Sequence, residues 1–166
     1  MYIPFENIAD NARIWVYTAN RPLRAEEVTH INQTAPVFLE NWTAHGAGLQ
    51  ASYTLLNNQF LVLAVNEDVA NASGCSIDSS VKYIRQLEEA FGVSLTDRSL
   101  VPFELDGTVT LVKLPELKTA VASGKITPQS TLVNTLVATK AELLSSWYKP
   151  AGESWLKRYF EGVGVQ

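Results

Sequence analysis

Gln50-Ala-Ser-Tyr-Thr-Leu-Leu-Asn-Asn-Gln-Phe-Leu-Val-Leu-Ala-Val65 is the part of the chain with the fewest structural options. Asn57-Asn58 tolerates the positive φ of a tight turn, so residues 50–56 and 59–65 read as the two arms of a hairpin. The second arm, Phe60-Leu-Val-Leu-Ala-Val65, is apolar without alternation, which requires a central strand covered on both faces. Upstream, Arg13-Ile-Trp-Val-Tyr-Thr18 is β-branched and aromatic and reads as a strand. Between them Val28, Ile31, Ala35, Phe38, Leu39 and Trp42 recur at helical spacing, with Glu26 and Glu27 in the first turn. Pro36 removes one amide donor from this helix and predicts a kink, and Gly46 and Gly48 punctuate its end. Downstream, a helix capped by Asp78 or a neighbouring serine buries Val81, Ile84, Leu87 and Phe91 and stops at Gly92.

A strand over 100–105 follows, and Asp106-Gly107 turns it into a further strand over 108–114. The element order is therefore β-α-β-β-α-β, the split βαβ order of ferredoxin-like domains. The expected fold is α+β, a single domain over 1–166 with a ferredoxin-like core over 1–105 and an extension over 106–166. The extension reads as a short helix over 115–123 closed by Gly124, a strand over 131–137, and a last helix carrying Trp155, Tyr159 and Phe160 up to Gly162. A ferredoxin-like sheet carries its helices on one face only. The second cover required by the central strand is then expected from this extension or from a second subunit.

The chain has 166 residues, with 13 Lys or Arg against 17 Asp or Glu and a net charge of −4. At 46% hydrophobic residues it is not a disordered chain, and its length is ample for one core. The acidic balance argues against nucleic-acid binding, which depends on basic clusters. Charge is also unevenly placed. From residue 41 to residue 77 only Glu67 and Asp68 carry a formal charge, so this stretch is either buried or held against a partner. A single cysteine, Cys75, excludes an internal disulfide, and the N-terminus lacks the pattern of a signal peptide. The longest uncharged run contains His45, Gln50, Ser52 and Asn57-Asn58 and does not suit a membrane span. A cytoplasmic protein is expected, and the sequons at Asn32, Asn41 and Asn71 are then accidents of composition.

Two apparent nucleotide motifs fail on context. Gly46-Ala-Gly48-Leu-Gln-Ala51 follows a helix and precedes a strand, the reverse of a dinucleotide-binding turn. Gly124-Lys125 is followed by Ile126 and has Thr119 where a phosphate-binding loop needs glycine. Two histidines and one cysteine at unrelated spacings make no metal signature, and no cofactor is implied. Glu26-Glu27 and Glu88-Glu89 are adjacent pairs whose members point apart, and both are expected to be solvated.

One constellation remains. Ala72-Ser-Gly-Cys-Ser-Ile-Asp-Ser-Ser80 places small and hydroxylated residues at a helix start, where free amides and the dipole favour an anion or a thiolate. In the expected topology Trp42-Thr-Ala-His-Gly46 reaches the same edge. The candidate ligand-binding residues are Gly74, Ser76, Asp78, Ser79 and Ser80. The candidate catalytic pair is Cys75 as nucleophile and His45 as base. Helix capping also accounts for Ser76, Asp78 and Ser79, burial for a free cysteine, and the helix dipole for His45. Trp15, Trp42 and Trp147 are expected as packing anchors.

At Tyr2-Ile-Pro-Phe-Glu-Asn7, Trp42-Thr-Ala-His-Gly46, Ser73-Gly-Cys-Ser-Ile-Asp-Ser-Ser80 and Glu153-Ser-Trp155 the chain resembles a family of small uncharacterised bacterial proteins, over nearly its whole length. Members often carry the label "ABC transporter ATPase". That label implies a Walker A loop, a Walker B carboxylate and a signature motif, none of which stands in this sequence. The resemblance brings no catalytic residues with it. The leading expectation is a non-enzymatic binding or interaction module, with a small anion or a protein segment as partner. The alternative is a cysteine-dependent enzyme or redox sensor. Monomer and homodimer both remain open.

Overall fold

The computed structural model describes residues 1–162. By backbone contacts the chain forms two compact units, Met1–Thr96 with Leu136–Ser145, and Asp97–Thr135 with the chain from Ser146 onward.

The first unit is built on a three-stranded antiparallel sheet. Strand β1 (Arg13–Thr18) leads into helix α1 (Ala25–Glu40), which continues through Pro36. A small hairpin follows, β2 (Thr43–Ala44) and β3 (Ala47–Gly48), and then the large hairpin β4 (Ala51–Leu56) and β5 (Phe60–Val65). The sheet order is β1-β5-β4, so β5 is central, and all six of its residues are buried. This is the outcome that its unbroken apolar run requires. Asn57 and Asn58 both take positive φ (55° and 49°), and the Gln59 amide donates to Leu56 O at 3.0 Å to close the turn. Helix α2 (Gly74–Phe91) completes the unit, and Gly92 at φ 64° ends it in the left-handed region. The core between helices and sheet joins Ile31, Ala35 and Leu39 of α1 to Leu61, Leu63 and Val65 of β5 and to Tyr83, Ile84 and Leu87 of α2.

The second unit holds the antiparallel sheet β7-β6-β8-β9, made of β6 (Leu100–Leu105), β7 (Thr108–Lys113), β8 (Thr131–Val133) and β9 (Tyr148–Pro150). Helix α3 (Leu117–Ala122) packs with it around Phe103, Leu117, Ile126, Leu132 and Leu156.

Several expectations need correction. The strand expected as the fourth of a ferredoxin-like sheet, β6, pairs with β7 and β8 instead, because Asp106-Gly107 (φ 52° and 77°) folds it tightly onto β7. On the free side of β1 the chain places residues 138–139. Ile14 N–H donates to Ala138 O at 3.0 Å, and Arg13 and Thr139 form an isolated antiparallel bridge just before helix α4 (Lys140–Ser146). Helix α1 ends at Glu40, and Trp42 is buried outside it. Helix α2 begins a full turn before Asp78, with Ser73 as its cap. The strand expected over 131–137 stops at Val133, and residues 155–159 form a short 3-10 turn rather than a helix. No helix among the described residues is long and apolar enough to cross a membrane.

Candidate functional site

At the start of α2, Ser73 and Ser76 cap each other. The Ser76 amide donates to Ser73 Oγ at 3.1 Å, the Ser73 amide donates to Ser76 Oγ at 2.6 Å, and Ser76 Oγ–H donates to Ser73 O at 2.8 Å. Ser79 and Ser80 turn their hydroxyls back onto the helix, onto Cys75 O at 3.0 Å and Ile77 O at 2.6 Å. The hydroxyls that made this segment look like a ligand cradle are therefore spent on the backbone, as capping chemistry prescribes. Ser76 and Ser80 are buried, which removes both from direct ligand contact in this state.

What remains open at the helix start is the pair of amides on Gly74 and Cys75. Neither has an acceptor among the described residues, and both belong to the first turn, which lacks intrahelical acceptors. Gly74 and Cys75 are exposed, and so is Asp78, one turn further along the face of Cys75.

His45 sits beyond α1, in the two-residue turn that joins β2 to β3. It takes φ 52° and Gly46 takes φ 79°, the pair of left-handed residues that a tight hairpin needs. Trp42, in front of this hairpin, buries its ring against Trp15 and Phe38 and donates from Nε1 to Ser76 O at 2.8 Å. That bond pins the hairpin to the first turn of α2, and β2 lies against α2. The two polar flanks expected from sequence thus come to the same end of the first unit. They do not form a dyad, since the His45 ring and the Cys75 thiol make no hydrogen bond to each other or to any described residue. Among the described residues no three His, Cys, Asp or Glu side chains gather as metal ligands.

Two features carried no recognisable sequence signal. The first is an ion pair. Arg21 donates from both terminal nitrogens to Glu27, at 2.7 and 2.9 Å, and from one of them to Phe91 O at 3.0 Å. Glu27, expected to be solvated, is buried, while Glu26 is exposed. The Arg21 hydrogen bonds hold the Glu27 carboxyl down to about 2 against the opposing effect of burial. The other adjacent pair is also corrected in part, because Glu88 accepts from the Leu95 amide at 2.7 Å and from Thr96 Oγ at 3.0 Å.

The second feature is an open groove of about 460 Å³ along the outer edge of β4. Tyr53, Thr54 and Leu55 line it, together with Tyr2, Phe5 and Val28. In the second unit a depression of about 630 Å³ lies between α3 and the 3-10 turn, with Lys118, Val121, Arg158 and Tyr159 in its lining. Comparison of the chain with family models, with curated proteins and with solved structures finds no match in any of the three.

Proposed function

We propose that this protein is a cytoplasmic, non-enzymatic binding module whose small ligand sits at the start of α2. The observation that carries the reading is the pair of unpartnered amides on Gly74 and Cys75, exposed at the positive end of an 18-residue helix. Asp78 refines the ligand. A bare anion meets repulsion from this carboxylate, whereas a ligand that also carries an ammonium or hydroxyl group finds an acceptor there. The preferred class is thus a small phosphate or carboxylate compound with a donor group two or three bonds away. A single exposed cysteine suits a reducing compartment.

We also read the first unit as a ferredoxin-like frame. The order β1-β5-β4 corresponds to its first, third and second strands, with residues 138–139 beside β1 where the fourth would lie.

The test is a titration of the full chain with inorganic phosphate and with phosphoethanolamine, following the Gly74 and Cys75 amide signals. Saturable shifts by phosphoethanolamine are expected. Asp78→Asn weakens that ligand and strengthens phosphate. Gly74→Ala sets a methyl group beside the site and is expected to weaken the ligand with the fold intact, since a Cβ there meets nothing within 4 Å. Absence of any shift at both amides removes the site. A second reading, cysteine chemistry, is favoured by the exposure of Cys75. It requires that His45→Ala change the pH profile of Cys75 alkylation. An unaltered profile eliminates His45 as the base.

A further inference from the structure

We infer that the depression in the second unit binds a small apolar monocarboxylate, with Lys118 and Arg158 meeting its acid group and Val121 and Ala122 its body. Helix α3 supplies its share of the lining through spacing. Lys118, Val121 and Ala122 stand at i, i+3 and i+4 and therefore share one face of that helix. Leu117, Ala120 and Val121 are buried in the core of the unit, which fixes the helix on the sheet. The 3-10 turn over Trp155–Tyr159 supplies Arg158 and Tyr159. Leu156 anchors this turn in the same core, and Tyr159 packs against it half-buried. Trp155 meets the Tyr159 ring edge-on, with 6.4 Å between ring centroids. Tyr159 in turn carries the Arg158 guanidinium, whose Cζ lies 5.1 Å from the ring centroid and whose Nη2 donates to the tyrosine hydroxyl at 3.5 Å. The arginine is thus held at the lining by an aromatic ring, which leaves its charge uncompensated and most of its donors available.

Charge selects the ligand. Glu161 also lines the depression, yet neither Lys118 nor Arg158 forms an ion pair with it or with any other described carboxylate. Two cations and one carboxylate leave these residues with one net positive charge, the complement of a monoanion. A dianion brings its second charge toward Glu161. Arginine favours a planar carboxylate, whose two oxygens match its parallel N–H groups. A compound without an apolar body leaves the surface of Val121 and Ala122 uncovered. The volume of about 630 Å³ suits a body of one ring, and an apolar lining with a few charged groups is the usual make-up of a small-molecule site.

The probe is 3-phenylpropionate, titrated into the full chain at neutral pH while the Val121 and Ala122 methyl signals are followed. The controls are 3-phenylpropanol, which keeps the ring, and acetate, which keeps the charge. Saturable shifts are expected with the first compound, and binding about threefold weaker or worse with either control. Lys118→Gln and Arg158→Gln, both at exposed positions, are each expected to weaken 3-phenylpropionate about threefold. Glu161→Gln is expected to strengthen it, a gain that damage to the fold does not produce. The methyl signals lie in the second unit, so the outcome is independent of the α2 site. Unshifted Val121 and Ala122 methyls, an alcohol bound as tightly as the acid, or Arg158→Gln and Glu161→Gln changing the affinity in the same direction each overturn the proposal.

Discussion

Glu27 accepts from both guanidinium nitrogens of Arg21 and from the Arg24 amide, the last at 2.8 Å, so one carboxylate holds the entry to α1. Through Phe91 O the same arginine reaches the end of α2. Glu27→Gln keeps the volume and loses the charge. Because Arg21 then stays part-buried without its counterion, a loss of about 1–3 kcal/mol at pH 7 is expected. The sign of the pH dependence follows from a carboxyl held at about 2 in the folded chain against 4.5. Its stabilisation is complete above pH 4.5 and fades as pH falls toward 2. Urea unfolding of both proteins should show the gap closing over that interval, and a constant gap contradicts the assignment. The sequence did not expose this pair. Arg21 lies in a loop, six residues before Glu27, and no helical spacing links the two.

Among the elements, three tight turns share one device, two consecutive residues at positive φ. They are His45-Gly46, Asn57-Asn58 and Asp106-Gly107. The second and third are legible as sequence because asparagine and aspartate tolerate that conformation and glycine is free to adopt it. His45-Gly46 was obscured by the apolar periodicity running from Val28 to Trp42, which suggested one continuous helix up to the glycines. His45→Gly should retain or raise stability, whereas His45→Val should cost about 1–2 kcal/mol relative to it, because a β-branched residue resists the left-handed region. Equal unfolding midpoints for the two variants contradict the turn. The same elements show why the candidate site was only half legible. Residue types at the start of α2 gave its location. Whether their hydroxyls face a ligand or the backbone depended on Ser73 being the cap, a shift of one turn that periodicity does not register.

At the scale of the whole molecule, the first unit depends on residues far along the chain. Lys140 is buried, and its ammonium donates to Ile8 O at 2.8 Å and Glu6 O at 3.2 Å, over the Phe5 ring at 5.3 Å. Beside it the Lys140 and Ala141 amides donate to Ala12 O and Asp10 O. Lys140→Met preserves the stem and abandons the two carbonyls, at an expected cost of about 2 kcal/mol in urea unfolding. An unchanged midpoint refutes this role. A pairing across more than 130 residues leaves no local mark in sequence, so the order of elements along the chain is legible only as far as β5 and α2, and there without the small hairpin β2–β3. The charge-poor stretch over 41–77 resolves into two hairpins and a capped helix start. Burial explains most of it, and the exposed residues at its two ends, His45 and Cys75, frame the proposed ligand position.

The most direct test of that position is the alkylation rate of Cys75 by iodoacetamide in the native chain, with and without saturating phosphoethanolamine at matched ionic strength. A ligand seated on the Gly74 and Cys75 amides covers the thiol beside them, and the rate should fall at least threefold. A rate independent of the compound contradicts a ligand site at the start of α2.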